Sequence, residues 1–266
     1  MTDPALATHN LQRASGAHGA RFRFNATITE IPQESRRISD VKLADGMALH
    51  APVVINVGGP ASFLINAMAG VTDDMTMTTR ALKQDVVHVP SPAGFDSERN
   101  GIVVFDSDIS CYCRPEHGNH ILIGSEDPPC DEHVWVTGDT DYDRNFTAQW
   151  NVQAMRYAQR VLSIAIPKTA SGVIGCYKVT EDWIPIYDKS SLPGFYMACG
   201  TIGNQYKNAA IAGKMMASLV GYCEAGNDHD TNPLTFRLPY IGRDTDISFY
   251  SRKREINPNS SFSVLG

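Results

Sequence analysis

The sequence predicts a mixed α/β (α+β) chain in which one α/β domain is interrupted by a mostly antiparallel sheet. A continuous apolar run, Pro52-Val53-Val54-Ile55-Asn56-Val57, enters Gly58-Gly59-Pro60 and a helical stretch over 61–69. A second run, Phe195-Tyr196-Met197-Ala198-Cys199, ends in Gly200 and leads through a loop into a long helix reaching about Cys223. Between them lie short strands separated by turns. Strand, glycine and helix in that order make the repeating unit of an α/β sheet, so its recurrence on both sides of an antiparallel stretch implies an inserted domain.

Taken in chain order, residues 4–19 carry Leu6, Leu11 and Ala14 and end in a glycine, which predicts a helix with a glycine C-cap. Residues 21–28 alternate polar and apolar, and 41–43 rise again towards the turn signal Asp45-Gly46, the pattern of a hairpin or meander. The run over 52–57 is apolar without alternation, as expected of a strand buried on both faces. From Thr76 to about Tyr187 strands are expected over 85–89, 101–105, 110–114, 120–124 and 172–179. A helix over 146–162 interrupts them, with Trp150, Ala154, Tyr157, Ala158 and Val161 at helical spacing. In the last helix Ala209, Ala212, Met216, Leu219, Val220 and Cys223 supply one apolar face.

With 266 residues, 42% of them hydrophobic, the chain can fill a real core. Its net charge of -6 is spread along the sequence and not gathered into runs, which argues against a nucleic-acid or anionic-lipid partner. No apolar stretch approaches the roughly 20 residues needed to cross a bilayer, and MTDPALATHN has neither a basic nor an apolar leader region, so no membrane partner and a cytoplasmic location are expected. The six cysteines then read as reduced core thiols. Cys111, Cys113, His117 and His120 are dense enough to suggest zinc, but Cys111 and Cys113 would share a strand face while 116–119 forms a turn, so no metal site is expected.

A glycine after a buried strand lets backbone approach a ligand, and amides at the following helix start favour negative charge. Gly58-Gly59-Pro60 is one such place, although a strand-to-helix turn needs glycine for packing in any case. The segment from Gly200 through Thr201, Ile202, Gly203, Asn204, Gln205, Tyr206 and Lys207 is the stronger one, because it sets a lysine one turn inside an electropositive helix N-terminus.

The segments ARFRFNATITEI, APVVINVGGPAS, GCYKVTEDWIPIYD and GFYMACGTIGNQYKNAAIAGKMMA, in this order, resemble successive landmarks of the sarcosine and dimethylglycine oxidase branch of the D-amino-acid oxidase superfamily of FAD-dependent oxidoreductases. The resemblance runs over nearly the whole chain. It implies an incomplete FAD-binding α/β domain made of residues 1–75 and 190–235, an antiparallel-sheet substrate domain over 76–189, and a C-terminal tail over 236–266. Ile28 would touch the adenine, and Gly58, Gly59 and Pro60 would line the dinucleotide crevice. Gly200, Ile202, Gly203, Asn204, Gln205, Tyr206 and Lys207 would face the flavin pyrimidine edge, where amides and a cation stabilise the reduced ring. Lys207 and Tyr177 are the implied catalytic residues, the lysine on a substrate carboxylate and the tyrosine near flavin and substrate. Gly175 stands where covalent sarcosine oxidases carry a flavin-linking cysteine, so noncovalent FAD is implied.

The implied activity is oxidation of the CH–NH group of a small amine or N-methyl amino acid, with hydride passing to flavin N5. Met1 to Gly19 lacks the family's G-x-G-x-x-G fingerprint. This leaves a second possibility, a non-catalytic truncated remnant or split subunit that needs an N-terminal FAD-domain partner chain. Weak FAD binding by the isolated chain is expected on the same ground.

Overall fold

The computed structural model describes residues 3–137, 142–203 and 205–264. Helix α1 (Pro4–Ala17) starts where the Asp3 carboxylate accepts the Leu6 amide at 2.9 Å, with proline in the first turn, and it closes just ahead of Gly19, whose φ is +91°. The strand expected over 21–28 is not formed. Residues 21–27 are irregular and mostly exposed, and β1 is only Ile28–Glu30. An alternating pattern becomes a strand only where a neighbour takes its amides. Pairing begins at Ile28, against Leu43. A small hairpin, β2 (Gln33–Glu34) and β3 (Arg37–Ile38), precedes β4 (Asp40–Leu43) and β5 (Ala48–His50), which turn at Gly46 and complete a sheet in the order β1-β4-β5.

Strand β6 (Val54–Asn56) runs through Gly58-Gly59-Pro60, a 3-10 turn over Gly59–Ala61, into α2 (Ser62–Met68). The expectation that this strand is covered on both faces is corrected. Ile55 is 41% and Val57 66% exposed, because β6 is the end strand of its sheet and a hollow separates Ile55 and Val57 from Ala209, Ala212 and Met216 of the helix on that face.

The inserted sheet comprises β7 (Arg80–Pro90), β8 (Val104–Asp106) after the short helix α3 (Ser97–Asn100), β9 (Cys111–Glu116), β10 (His120–Ser125), β11 (Trp135–Val136) and, beyond helix α4 (Gln149–Ala158), β12 (Gly172–Val179). All its pairings are antiparallel. β7 is its spine: β10 and β11 share one edge and β12 takes the other, from Gly172 opposite Val87 to Val179 opposite Arg80. Alternation puts Val87 and Val89 on one face, where Cys111, Cys113, Ile121 and Ile123 meet Trp150 and Ala154 of α4 in a closed core.

Next come β13 (Ile186–Lys189) and β14 (Phe195–Cys199), in a sheet ordered β13-β14-β6. β14 lies parallel to β6, with Phe195 opposite Val54 and Met197 opposite Asn56. A boundary at residue 189 therefore cuts this sheet in two, since β13 pairs with β14 and not with the antiparallel strands. Helix α5 (Ala209–Glu224) covers the sheet through Met215, Met216 and Leu219 on Tyr187 and Tyr196. The stretch over 236–266 is also more than a tail. β15 (Thr235–Arg237) and β16 (Asp244–Asp246) form a hairpin, Ile247 is fully buried under α5, and Arg252 is 1% exposed among carboxylates from three other segments. No helix among the described residues is long and apolar enough to cross a membrane.

Candidate active site

The second glycine segment is where the structure gathers the predicted residues. Gly200 has φ +68°, and a Cβ there would lie 2.5 Å from the Thr180 methyl, so both conformation and space demand glycine. Ile202 follows at φ +47°, a strained choice for a β-branched residue; its amide is tied to the Lys178 carbonyl at 2.9 Å, and its side chain is buried with Leu82, Val179 and Trp183. This anchor brings Gly203 beneath Tyr177. A Cβ on Gly203 would come within 2.4 Å of Tyr177 Cζ.

Tyr177 projects from β12 on the same strand face as Gly175, two residues away, and Gly175 has open space where its Cβ would be. The Tyr177 hydroxyl meets that of Tyr112 at 3.4 Å. Tyr112 reaches it from β9 because its ring lies flat over Gly124 of β10, where a Cβ would be 2.2 Å from Tyr112 Cζ. Burial, then the facing phenol, pushes Tyr177 well above the ordinary phenol range, and burial raises Tyr112 as well. Both are therefore neutral hydroxyls at physiological pH, suited to hydrogen bonding and not to acting as tyrosinate bases. Near them Asp127, in a left-handed turn at φ +54°, is raised to about 7 by burial, reinforced by the Asp131 charge and opposed by a hydrogen bond from Gln84.

Lys207 is elsewhere. It belongs to a 3-10 turn over Gln205–Asn208 that precedes α5, so it stands ahead of the helix N-terminus and not one turn inside it. Lys207 lines a cavity of about 500 Å³ walled by Trp183, Tyr187, Ile202, Phe249 and Tyr250. Tyr206 is exposed, only the backbone of Gln205 is described, and Asn204 lies outside the described residues.

The first glycine segment offers a ligand less than its sequence suggests. The Gly58 amide already donates to Asn56 Oδ1 at 2.9 Å, Pro60 has no amide, and Asn56 Nδ2 stitches the turn to the Ser62 carbonyl and to Asn66. Gly59 is left-handed at φ +60°, and Lys178 Nζ lies 3.6 Å from where its Cβ would be. Ile28 is half-buried against the core of this domain.

Sequence reasoning missed Lys178, Tyr112 and Asn56. Lys178 had a signal: next to Tyr177 on a strand, it must face the opposite side, towards the Gly58-Gly59 turn. Tyr112 had none, because its role depends on a glycine across the sheet. The zinc candidates do not converge: Cys111 and Cys113 face α4, whereas His117 is exposed at the hairpin tip.

The model of the family described as FAD dependent oxidoreductase matches residues 1–219, so the chain belongs to that family. Among solved structures it is similar to L-proline dehydrogenase from P. horikoshii, at 19% identity and a TM-score of 0.69 over 94% of this chain and 59% of that one. Glycine oxidase from Geobacillus kaustophilus gives 20%, 0.59, 92% and 56%, and iminodiacetate oxidase from Chelativorans sp. BNC1 gives 17%, 0.60, 82% and 54%, in the same order. The chain thus spans between half and two thirds of the length of these relatives.

The family's cofactor is FAD. Gly175 of β12 leaves an open place beside Tyr177 where a flat ring could lie, while the place a side chain would take at Gly203 is filled by the Tyr177 ring.

Proposed function

We propose that this chain forms the substrate-facing part of an FAD-dependent oxidoreductase acting on the CH–NH group of a small amine, an N-methylated or cyclic amino acid, with FAD held noncovalently. When bound, the flavin supplies the acceptor at N5 for the hydride leaving the carbon next to nitrogen. The observation that carries this reading is Tyr177 seated on Gly203, beside the open position at Gly175, at the entrance to α5. Gly203 and the amides that follow would hold the pyrimidine edge, and Lys207, at the cavity beside Ile202, would take a substrate carboxylate. Tyr177 and Tyr112, both neutral, would orient the amine by hydrogen bonds and keep water from the reacting carbon. With glycine at 175 and Cys176 on the opposite strand face, no thiol is presented to the flavin on the Tyr177 side.

The open side of β6 supports a second element of the proposal. A dinucleotide-binding unit, in the same polypeptide or in a partner chain, would pair beside β6 and complete the cofactor site. The test is anaerobic reduction of the complemented, FAD-loaded protein by sarcosine, dimethylglycine, glycine and proline, followed by flavin absorbance. Bleaching by one or more of them is expected; a flavin that stays oxidised with all of them would sink the proposal.

A further inference from the structure

A second polar site lies away from the tyrosine pair, where α4 packs over β7 and the turn that leaves β10. A cavity there is lined by Asp85 of β7, Asp127 of the turn, and Gln149 and Gln153 of α4. The two glutamines are four residues apart, so their amides leave one helix face. Each of these four side chains carries a buried oxygen without a hydrogen-bond partner among the described residues: Asp85 Oδ1, Asp127 Oδ2, Gln149 Oε1 and Gln153 Oε1. Asp85, Asp127 and Gln153 are only 3%, 5% and 2% exposed. The companion carboxylate oxygens are satisfied, Asp85 Oδ2 by the Thr147 amide and hydroxyl at 2.6 and 2.7 Å, Asp127 Oδ1 by Gln84 at 2.8 Å. The cations nearby are engaged: Lys83 donates to the Asn145 carbonyl at 2.6 Å, and Arg156 to Asp131.

Four buried oxygens around one cavity, none of them accepting a hydrogen bond, are heavily unfavourable unless something fills the space. The free volume is about 10 Å³, room for about one water-sized particle. A water brings two hydrogens and serves two acceptors, whereas a cation serves all four. The donor set is all oxygen and includes two carboxylates, which suits a hard cation and not zinc or copper.

We propose that this cavity binds a hard metal cation of the size of Ca²⁺ or Na⁺ through Asp85, Asp127, Gln149 and Gln153, and that the cation pins α4 to the antiparallel sheet. The test is thermal unfolding of the full chain after chelator treatment, with CaCl₂, MgCl₂, NaCl or KCl replacing tetramethylammonium chloride at constant ionic strength. A saturable rise in Tm is expected, roughly 5–10 °C at a hundredfold excess over Kd. Gln153→Met, which keeps the bulk, and Asp127→Asn should each abolish most of it. Terbium luminescence sensitised by Trp150 on the same helix gives a reading independent of stability; it should be displaced by Ca²⁺ and lost in both variants. Should Gln153→Met fail to fold, Gln149→Met at a less buried position carries the same comparison. No rise with any metal salt would leave an ordered water as the occupant and overturn the proposal. A rise that persists in full in the variants would put the cation elsewhere and overturn it equally.

Discussion

At the scale of single residues, Tyr177 and Gly203 constrain each other, and a methyl group is enough to show it. Gly203→Ala would drive Cβ to 2.4 Å from Tyr177 Cζ, so the ring or the loop must move. A loss of about 1–3 kcal/mol in unfolding free energy is expected, typical of overpacking, and denaturant titration measures it. Lys207→Met makes a different prediction. The side chain is exposed at the cavity, so the fold should be retained, while substrate affinity and flavin reduction in an FAD-loaded form weaken by about 1–3 kcal/mol, as for a charge-assisted contact. An unchanged reductive half-reaction in stopped flow would return Lys207 to an ordinary surface lysine. The buried phenols add an alkaline limit. Burial raises Tyr112 and Tyr177 in the folded state, so their contribution is fully present below the unfolded phenol value of about 10 and disappears as pH climbs through the raised folded values. Tyrosinate absorbance should therefore show these two ionising together with unfolding, not ahead of it.

Among elements, the C-terminal segment shows most clearly why a sequence reading stops where it does. The strand over 172–179 and the turn at Gly46 were legible because their signals are local, a short run bounded by turns and a glycine that must be left-handed. The role of 236–266 was not, because it depends on Arg252 finding Asp188, Asp74 and Asp230 across the molecule. Arg252 and Asp188 are both essentially fully buried, so Arg252→Met leaves a carboxylate without its counter-charge. A destabilisation of about 3–5 kcal/mol is expected by thermal or denaturant unfolding. The same cluster predicts an acid limit. Burial opposes ionisation of Asp230 and Asp74, yet hydrogen bonds from Arg252 and Lys253 outweigh it and hold both below the ordinary carboxylate range; Asp182 is held down likewise by Arg254. Groups depressed on folding stabilise above their unfolded value and lose that contribution as pH falls through the folded one, so the segment should detach below about pH 4. Limited proteolysis at stepped pH would detect it, and resistance that persists unchanged into strong acid would count against the cluster as the tie.

For the whole molecule, the parallel pairing of β14 with β6 joins the strands on either side of the inserted sheet, while among the described residues no strand pairs with the other edge of β6. Ile55 on β6, Val57 just beyond it, and Phe63, Leu64 and Met68 on α2 are exposed beside one another in sequence, and Ile55 and Val57 with Ala209, Ala212 and Met216 of α5 border an apolar hollow of about 510 Å³. Such a surface favours association with another polypeptide. The turn that should approach the dinucleotide has spent its Gly58 amide on Asn56, so the chain alone has little with which to hold a pyrophosphate. The expected outcome is that flavin fluorescence titration finds weak FAD binding by this chain, and that a polypeptide carrying a glycine-rich dinucleotide-binding βαβ unit raises the affinity by at least tenfold. Ile55→Lys combined with Val57→Lys should suppress that gain without disturbing the Tyr177–Gly203 contact, because both side chains are already solvated. Tight stoichiometric binding of FAD by the chain alone would show that the flavin end and the Gly59 turn suffice, and the open strand would then need another explanation.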